Sequence, residues 1–222
     1  MILRINKFIA LSLSISRRRA EELINSGRIK LNDTPAELTD RVGEDDSIFL
    51  DGKQIKLEIS EDVVLILNKS LGYVCTHASQ GGDPSIFELL PSEYGKLKIA
   101  GRLDKDTSGL VILTNNGDFA HKLTHPSFKK QKTYITKLKL ELEPSELNLI
   151  EVSGVDIGDE RASKFKIEKL GDLNYRLILE EGRNRQIRRT FKAIENEVVE
   201  LHRLSLGEFS LDNLKPGEWV KV

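Results

Sequence analysis

The segment GRLDKDTSGLVILTNNGDFAHKLTHP, residues 101–126, holds the densest set of reactive side chains in this chain of 222 residues. Asp104 and Asp106 stand two apart between Gly101 and Gly109, with Thr107 and Ser108 beside them. In an extended backbone the two carboxylates would share a face; in a loop they need not. Such a pair suits Mg²⁺ or Mn²⁺ held together with substrate phosphates, which is the chemistry of a metal-dependent transferase. Asp106-Thr107-Ser108-Gly109 has one residue too many for an aspartic protease loop, and no second copy supplies the partner aspartate. His121 and His125 have the i, i+4 spacing of helical metal ligands, but they lack the intervening Glu of a zinc protease and Pro126 follows at once. A helix surface or a cap is the expected place for both. Asp and Ser side chains also build plain turns, so the chemistry of the loop stays open on residue types alone. Cys75 is the single cysteine, which rules out an intramolecular disulfide and a cysteine metal cluster.

The balance of 39% hydrophobic and 31% charged residues fits a globular protein and argues against long disorder. No apolar run approaches the roughly 18 residues needed to span a bilayer. The opening MILRINKFIALSLSISRRR is interrupted by Arg4, Asn6 and Lys7 and ends in arginines, so it reads as structured protein rather than a signal peptide. A cytoplasmic location is the expectation. The formal net charge of −1 hides an uneven distribution. Residues 1–32 carry seven basic residues against two acidic, and residues 33–62 carry three against ten. Further basic runs are Lys129, Lys130, Lys132, Lys137 and Lys139, and then Arg183, Arg185, Arg188, Arg189 and Lys192. A polyanion is the natural partner of such patches, although any one of them alone could be a solvated face.

The elements that must position these groups fall into two domains, residues 1–60 and 61–222, with the boundary near Ile59–Asp62. Leu3, Ile5, Phe8 and Ile9 predict a short helix. Ser16 is a good N-cap for RRRAEELINSG, Ala20, Leu23 and Ile24 supply its apolar stripe, and Gly27 ends it. Arg28 to Leu31 reads as a strand, followed by strands at Ser47–Leu50 and Gln54–Ile59 around an Asp51-Gly52 turn. Arg17, Arg18, Arg28 and Lys30 can then gather on one face. The second domain opens with VVLILNK as a buried strand. Strands are predicted at Leu110–Leu113, Lys132–Leu140, Ala162–Lys169, Tyr175–Leu179 and Val198–Leu204. Helices are predicted at Gly117–Leu123, Pro144–Val152 and Arg185–Ile194. This mixed order predicts an α+β fold with a mainly antiparallel sheet, not regular βαβ winding.

INKFIA…SRRRAEELINSGRIKLN, followed by GEDDSIFLDGK, resembles the S4 RNA-binding domain over roughly residues 1–58; Asp33 stands where many such domains have Gly. GRLDKDTSGLVILTNNGD resembles the catalytic loop of the RluA/RsuA superfamily of pseudouridine synthases. LNKSLGYVCT at residues 67–76, KTY at Lys132–Tyr134, and EGRNRQIRRTF at residues 181–191 followed by VVELHRLSLGEFSLDNLKPGEW continue the resemblance in order. The match is strongest to the branch named for the small-subunit ribosomal synthase, which includes large-subunit relatives. The resemblance implies an rRNA pseudouridine synthase that flips the target uridine from its stack. Asp104 would be the catalytic aspartate, Tyr134 would lie against the base, and Arg188 would pair with Asp104. Arg102 would enter the stack or touch a phosphate. Leu103 and Leu206 would pack around the base pocket. Arg17, Arg18, Arg28, Lys30, Lys132, Arg183, Arg185 and Arg189 would contact RNA. Asp106 is left as a loop-shaping or RNA-contacting residue. No metal, nucleotide or redox cofactor is implied, and the expected partner of a monomeric chain is ribosomal RNA or an assembly intermediate. The rivals are a non-catalytic S4-type RNA-binding protein and an Asp104/Asp106 metal-dependent transferase.

Overall fold

The structure, a computed structural model, describes residues 2–57 and 61–222. The chain divides into two compact units, Met1–Glu61 and Asp62–Val222. In the first, β1 (Leu3–Arg4) runs directly into α1 (Ile5–Ser12), and α2 (Arg17–Asn25) follows. Ser16 caps α2: its hydroxyl accepts the Arg19 N–H at 3.1 Å, satisfying one of the donors that a helix start leaves open. Gly27 lies beyond the last turn at φ +69°, a left-handed conformation that costs glycine little. Strands β2 (Ile29–Leu31), β3 (Thr34–Pro35), β5 (Ile48–Leu50) and β6 (Lys53–Ile55) form a sheet in the order β3-β2-β5-β6. The short β4 (Arg41–Val42) pairs with β1. Asp51 and Gly52 both take positive φ, as a two-residue hairpin turn requires. Ile5, Ile9, Ala20, Leu23, Ile24, Ile29 and Ile48 make the core. β6 ends at Ile55, short of the expected Ile59, and residues 58–60, including part of the expected boundary, lie outside the described residues.

The second unit is built on a nine-stranded sheet. Its strands and helices in chain order are β7 (Val64–Lys69), β8 (Lys98–Ala100), β9 (Ser108–Thr114), α3 (Gly117–Thr124), β10 (Lys132–Leu138), α4 (Pro144–Asn148), β11 (Lys166–Gly171), β12 (Asn174–Leu179), α5 (Gln186–Ala193), β13 (Val198–Leu206), β14 (Phe209–Ser210) and β15 (Trp219–Lys221). The main path runs β11-β12-β10-β13-β9-β7-β15, with β8 added to β9 and β14 to β13. Every described strand pair here is antiparallel except β13 with β9, which gives the α+β class. The middles of β7 and β9 are apolar on both faces because both faces are covered. Leu65, Leu67, Val111 and Leu113 join one core, while Ile66, Leu110 and Ile112 join another on the opposite face.

Several expected elements differ in extent, three of them instructively. β11 starts at Lys166 rather than Ala162, because Ser163 instead bridges Val155 across a loop turned by Gly154 at φ +82°. The helix from Pro144 narrows to α4 and passes into one wider turn, Leu149–Ser153. β10 ends at Leu138; beyond it the Asn196 side chain accepts the Leu140 N–H at 3.1 Å, taking the place of a ladder partner. Among the described residues no helix is long and apolar enough to cross a membrane.

Candidate active site

The loop from Gly101 to Thr107 joins β8 to β9 and is fastened to the sheet beneath it. Arg203, on β13, is 2% exposed. Its Nε and Nη2 donate to the Leu110 carbonyl at 2.8 and 2.6 Å, and Nη2 also donates to the Gly101 carbonyl. One buried guanidinium therefore ties the loop's entrance to the strand that follows it. The approach is close enough to demand glycine at position 109: a Cβ there would lie 2.3 Å from the Arg203 carbonyl oxygen, at a φ of +110°. The Leu103 N–H points at Cys75 Sγ at 3.4 Å and its side chain enters the core. A turn closes from Thr107 N–H to the Asp104 carbonyl at 3.1 Å. What remains of the loop faces outward, with the Asp104 side chain 40% exposed.

Asp104 opens onto a cleft of about 720 Å³. Tyr134 from β10, Lys132 on the same strand, and Leu103 and Arg102 from the loop line it. Arg183, Arg185 and Arg188, from α5 and the segment before it, also line it, as does Arg203. The fold thus brings together residues from four separated segments. Burial lowers the Lys132 pKa, with repulsion from Arg203 adding to the effect and Glu181 opposing it.

The ion pairs are not those expected. Arg188 does not pair with Asp104; it is held to Asp106. Its Nε lies 3.1 Å from Asp106 Oδ2, Nη2 donates to the Asp106 carbonyl at 2.6 Å and Nη1 to the Val198 carbonyl at 2.9 Å. Arg185 grips the same carboxylate with two bonds, at 3.1 and 2.8 Å, and is the arginine nearest Asp104, at 3.4 Å. The two arginines reach Asp106 from the start of α5: Arg188 from its first turn, and Arg185 from the residue just before it, which is turned to φ +45°. Hydrogen bonding from Arg185, reinforced by the charges of Arg188 and Arg185, holds the Asp106 carboxyl below its ordinary range. Asp106 is therefore the ionic anchor between the loop and α5, a larger part than its sequence context suggested. For Arg188 burial is the dominant influence and lowers its pKa, opposed by attraction from Asp106.

Two further expectations change. Leu206 does not line the cleft. Leu201 and Arg203 face it, and a strand alternates its faces, so Leu206, three residues beyond Arg203, falls on the other side. There it packs under Gly101, which a Cβ would bring to 3.0 Å from Leu206 Cδ2. Arg189 does not line the cleft either: it pairs with Asp159 at 2.6 Å and donates to the Asn184 carbonyl at 3.1 Å, stitching a neighbouring loop to α5. Arg183 does reach the cleft wall, but its guanidinium already bonds Asp159 at 3.1 Å, Glu181 at 2.9 Å and two carbonyls.

In the first unit Arg17, Arg18, Arg28 and Lys30 are all exposed, and Arg28 is engaged by Asp51. His121 and His125 lie at the end of α3 and beyond it, both exposed, with ring centroids 4.6 Å apart. Among the described residues no group of three or more His, Cys, Asp or Glu is placed to hold a metal ion.

Sequence reasoning missed Arg203 and Lys69. Both are charged residues in or at the end of apolar strand patterns; for Arg203 the inward alternation of Leu201 and Arg203 was the available signal, and for Lys69 its place at the end of a run buried on both faces. Lys69 is fully buried at the end of β7, donating to the Ser70 carbonyl at 2.9 Å; burial lowers its pKa while Cys75, Asp106 and Asp104 oppose the shift.

Comparison with known proteins agrees with this architecture. A family model described as RNA pseudouridylate synthase matches residues 63–193, and one described as S4 domain matches residues 3–48. Ribosomal large subunit pseudouridine synthase B of Bacillus subtilis is 36% identical, over 97% of this chain and 90% of its own length. Ribosomal small subunit pseudouridine synthase A of Haemophilus influenzae is 34% identical, over 98% and 94%. A solved structure described as a crystal structure of pseudouridylate synthase superposes with a TM-score of 0.72 at 32% identity, covering 99% of this chain and 96% of that one.

Proposed function

This chain belongs to the RNA pseudouridylate synthase family, and from that premise we propose that it converts a specific uridine of ribosomal RNA to pseudouridine, with Asp104 as the catalytic carboxylate. The observation that carries the proposal is the single cleft onto which Asp104, Tyr134, Arg183, Arg185 and Arg188 open. Relatives named for each ribosomal subunit match at similar identity, which supports rRNA, free or in an assembly particle, as the substrate class. The proposed working form is a cytoplasmic monomer. Residues 1–60 serve as the RNA-holding S4 domain and 61–222 as the catalytic domain.

The reaction breaks the N1–C1′ bond of uridine, turns the uracil within the cleft and rejoins it to C1′ through C5. The C5 hydrogen is released and N1 takes up a proton. The base must leave its stack to reach Asp104, at a cost of a few kcal/mol. Stacking on Tyr134, worth about 1–3 kcal/mol, offsets part of that. Arg102, beside Asp104 on the loop, takes the space the uridine vacates or a flanking phosphate. An Asp104 carboxylate then attacks C1′ or takes the C2′ proton, with the Arg185 guanidinium 3.4 Å away. Arg188, held one residue pair away by Asp106, adds positive charge to the same wall. The isomerisation is redox-neutral and uses no water as nucleophile, so the proposed reaction requires neither metal nor redox cofactor.

The test is carbodiimide mapping of rRNA from cells lacking the gene, complemented with the wild type or with Asp104→Asn. The wild type should restore one pseudouridine stop. Asp104→Asn should bind the RNA and restore none; a restored stop in that strain would remove Asp104 from the chemistry.

A further inference from the structure

The end of α3 presents a surface that the proposed reaction leaves unused. His121, His125 and Phe128 are all exposed, Phe128 at 45%. Their rings form one continuous group, with centroids 4.6 Å apart for the two histidines, 5.9 Å for His121 and Phe128, and 6.3 Å for His125 and Phe128. Single exposed apolar side chains are ordinary, but three aromatic rings sharing an exposed edge are not explained by packing.

The backbone under these rings is held in place. The helix is anchored by Leu123, 1% exposed. His125 Nδ1 accepts the Ser127 N–H at 3.3 Å, capping the short 3-10 turn Pro126–Phe128. Lys129 then turns the chain away at φ +46°, a conformation unfavourable for a residue with a Cβ and found where neighbouring structure enforces it. The rings are thus ordered before anything binds, which lowers the entropic cost of stacking.

Position and charge identify what binds. Thr124 and Pro126, which flank His125, line the same cleft as Asp104 and Tyr134, so the aromatic group adjoins the cleft wall through its chain neighbours. Lys122 and Lys129 are exposed beside it and enter no ion pair among the described residues. Aromatic faces set among lysines are the chemistry of single-stranded RNA binding: the rings stack bases and the ammonium groups meet phosphates.

We propose that His121, His125 and Phe128 form a stacking shoulder for unpaired nucleotides of the substrate RNA next to the uridine in the cleft. The shoulder rests on the RNA-synthase reading of the cleft but makes its own claim about affinity. In the test, binding of the full-length protein to purified ribosomal RNA from cells lacking the gene is measured for the wild type, Phe128→Ala and Phe128→Trp. Phe128→Ala should bind at least about fivefold more weakly. Phe128→Trp should bind as the wild type does, and its new indole should be quenched by RNA beyond the quenching of Trp219 seen in the wild type. Lys122→Ala with Lys129→Ala should make the salt dependence of binding shallower. Unchanged affinity for Phe128→Ala, an unquenched indole, an unchanged salt slope or a wild type that binds no RNA would each overturn the shoulder. A wild type that forms no pseudouridine, while Phe128→Ala still loses affinity, would overturn the proposed reaction and leave the shoulder standing.

Discussion

Replacing Arg203 by Met tests the fastening of the catalytic loop. Met nearly preserves the length of the side chain and removes every donor. Three hydrogen bonds disappear, two to the Leu110 carbonyl and one to Gly101. Bonds from a charged donor contribute about 1.5–3 kcal/mol each, but removing a guanidinium that is only 2% exposed also removes its desolvation penalty. The net destabilisation is about 3 kcal/mol, within the range for breaking a buried polar cluster. For a unit of this size that lowers the Tm by roughly 6–12 °C. The loop carries Asp104, so kcat should fall further than KM changes. Calorimetry of the full chain, with pseudouridine formation measured well below the melting range, separates the two effects. A Tm within about 2 °C of the wild type together with an unchanged kcat would refute the role assigned to Arg203.

Gly109→Ala forces a Cβ to within 2.3 Å of the Arg203 carbonyl oxygen, where the parallel β9–β13 pairing leaves the backbone no room. A loss of about 3 kcal/mol or more, read by denaturant melts, is expected. The depressed pKa of Asp106 means that its ionised form stabilises the fold above the unfolded-state value, near about 3.9, and that this contribution is lost as pH falls through the lower folded value. Asp106→Asn should therefore be less stable than the wild type in thermal melts at neutral pH, with the difference closing in acid; a constant difference across that range would contradict the ion-pair role. Changing Arg17, Arg18 and Arg28 together to Ala should weaken rRNA binding and reduce the log–log salt slope by about 0.7–0.9 for each phosphate no longer neutralised, and an unchanged slope would count against the S4 face as the RNA-holding surface.

Much of this protein is legible in the amino-acid order because local rules govern it. Ser16 before RRRAEELIN specified a capped helix, and Asp51-Gly52 a hairpin turn. VVLIL and LVIL specified buried strands, since nothing polar interrupts their apolar runs. GRLD, KTY and EGRNRQIRR, in that order, named the family. Other features were settled only in three dimensions. Arg188 meets Asp106, and Arg185 both grips Asp106 and approaches Asp104, across about 80 residues of chain. No local pattern says which arginine reaches which carboxylate, because that follows from how α5 lies against the loop. Arg189 resembled its neighbours in a basic run but turned to Asp159, one helical face away. Leu206 resembled a pocket residue until strand alternation placed it beneath Gly101. Arg203 looked like a stray charge in a strand; burial, and two carbonyls with few other partners in reach, made it the fastening of the loop that holds Asp104. The sequence by itself determined which elements form and which chemistry is at hand. The tertiary structure decided which charges neutralise one another and which stay open to the cleft, because those choices depend on contacts between residues far apart in the chain.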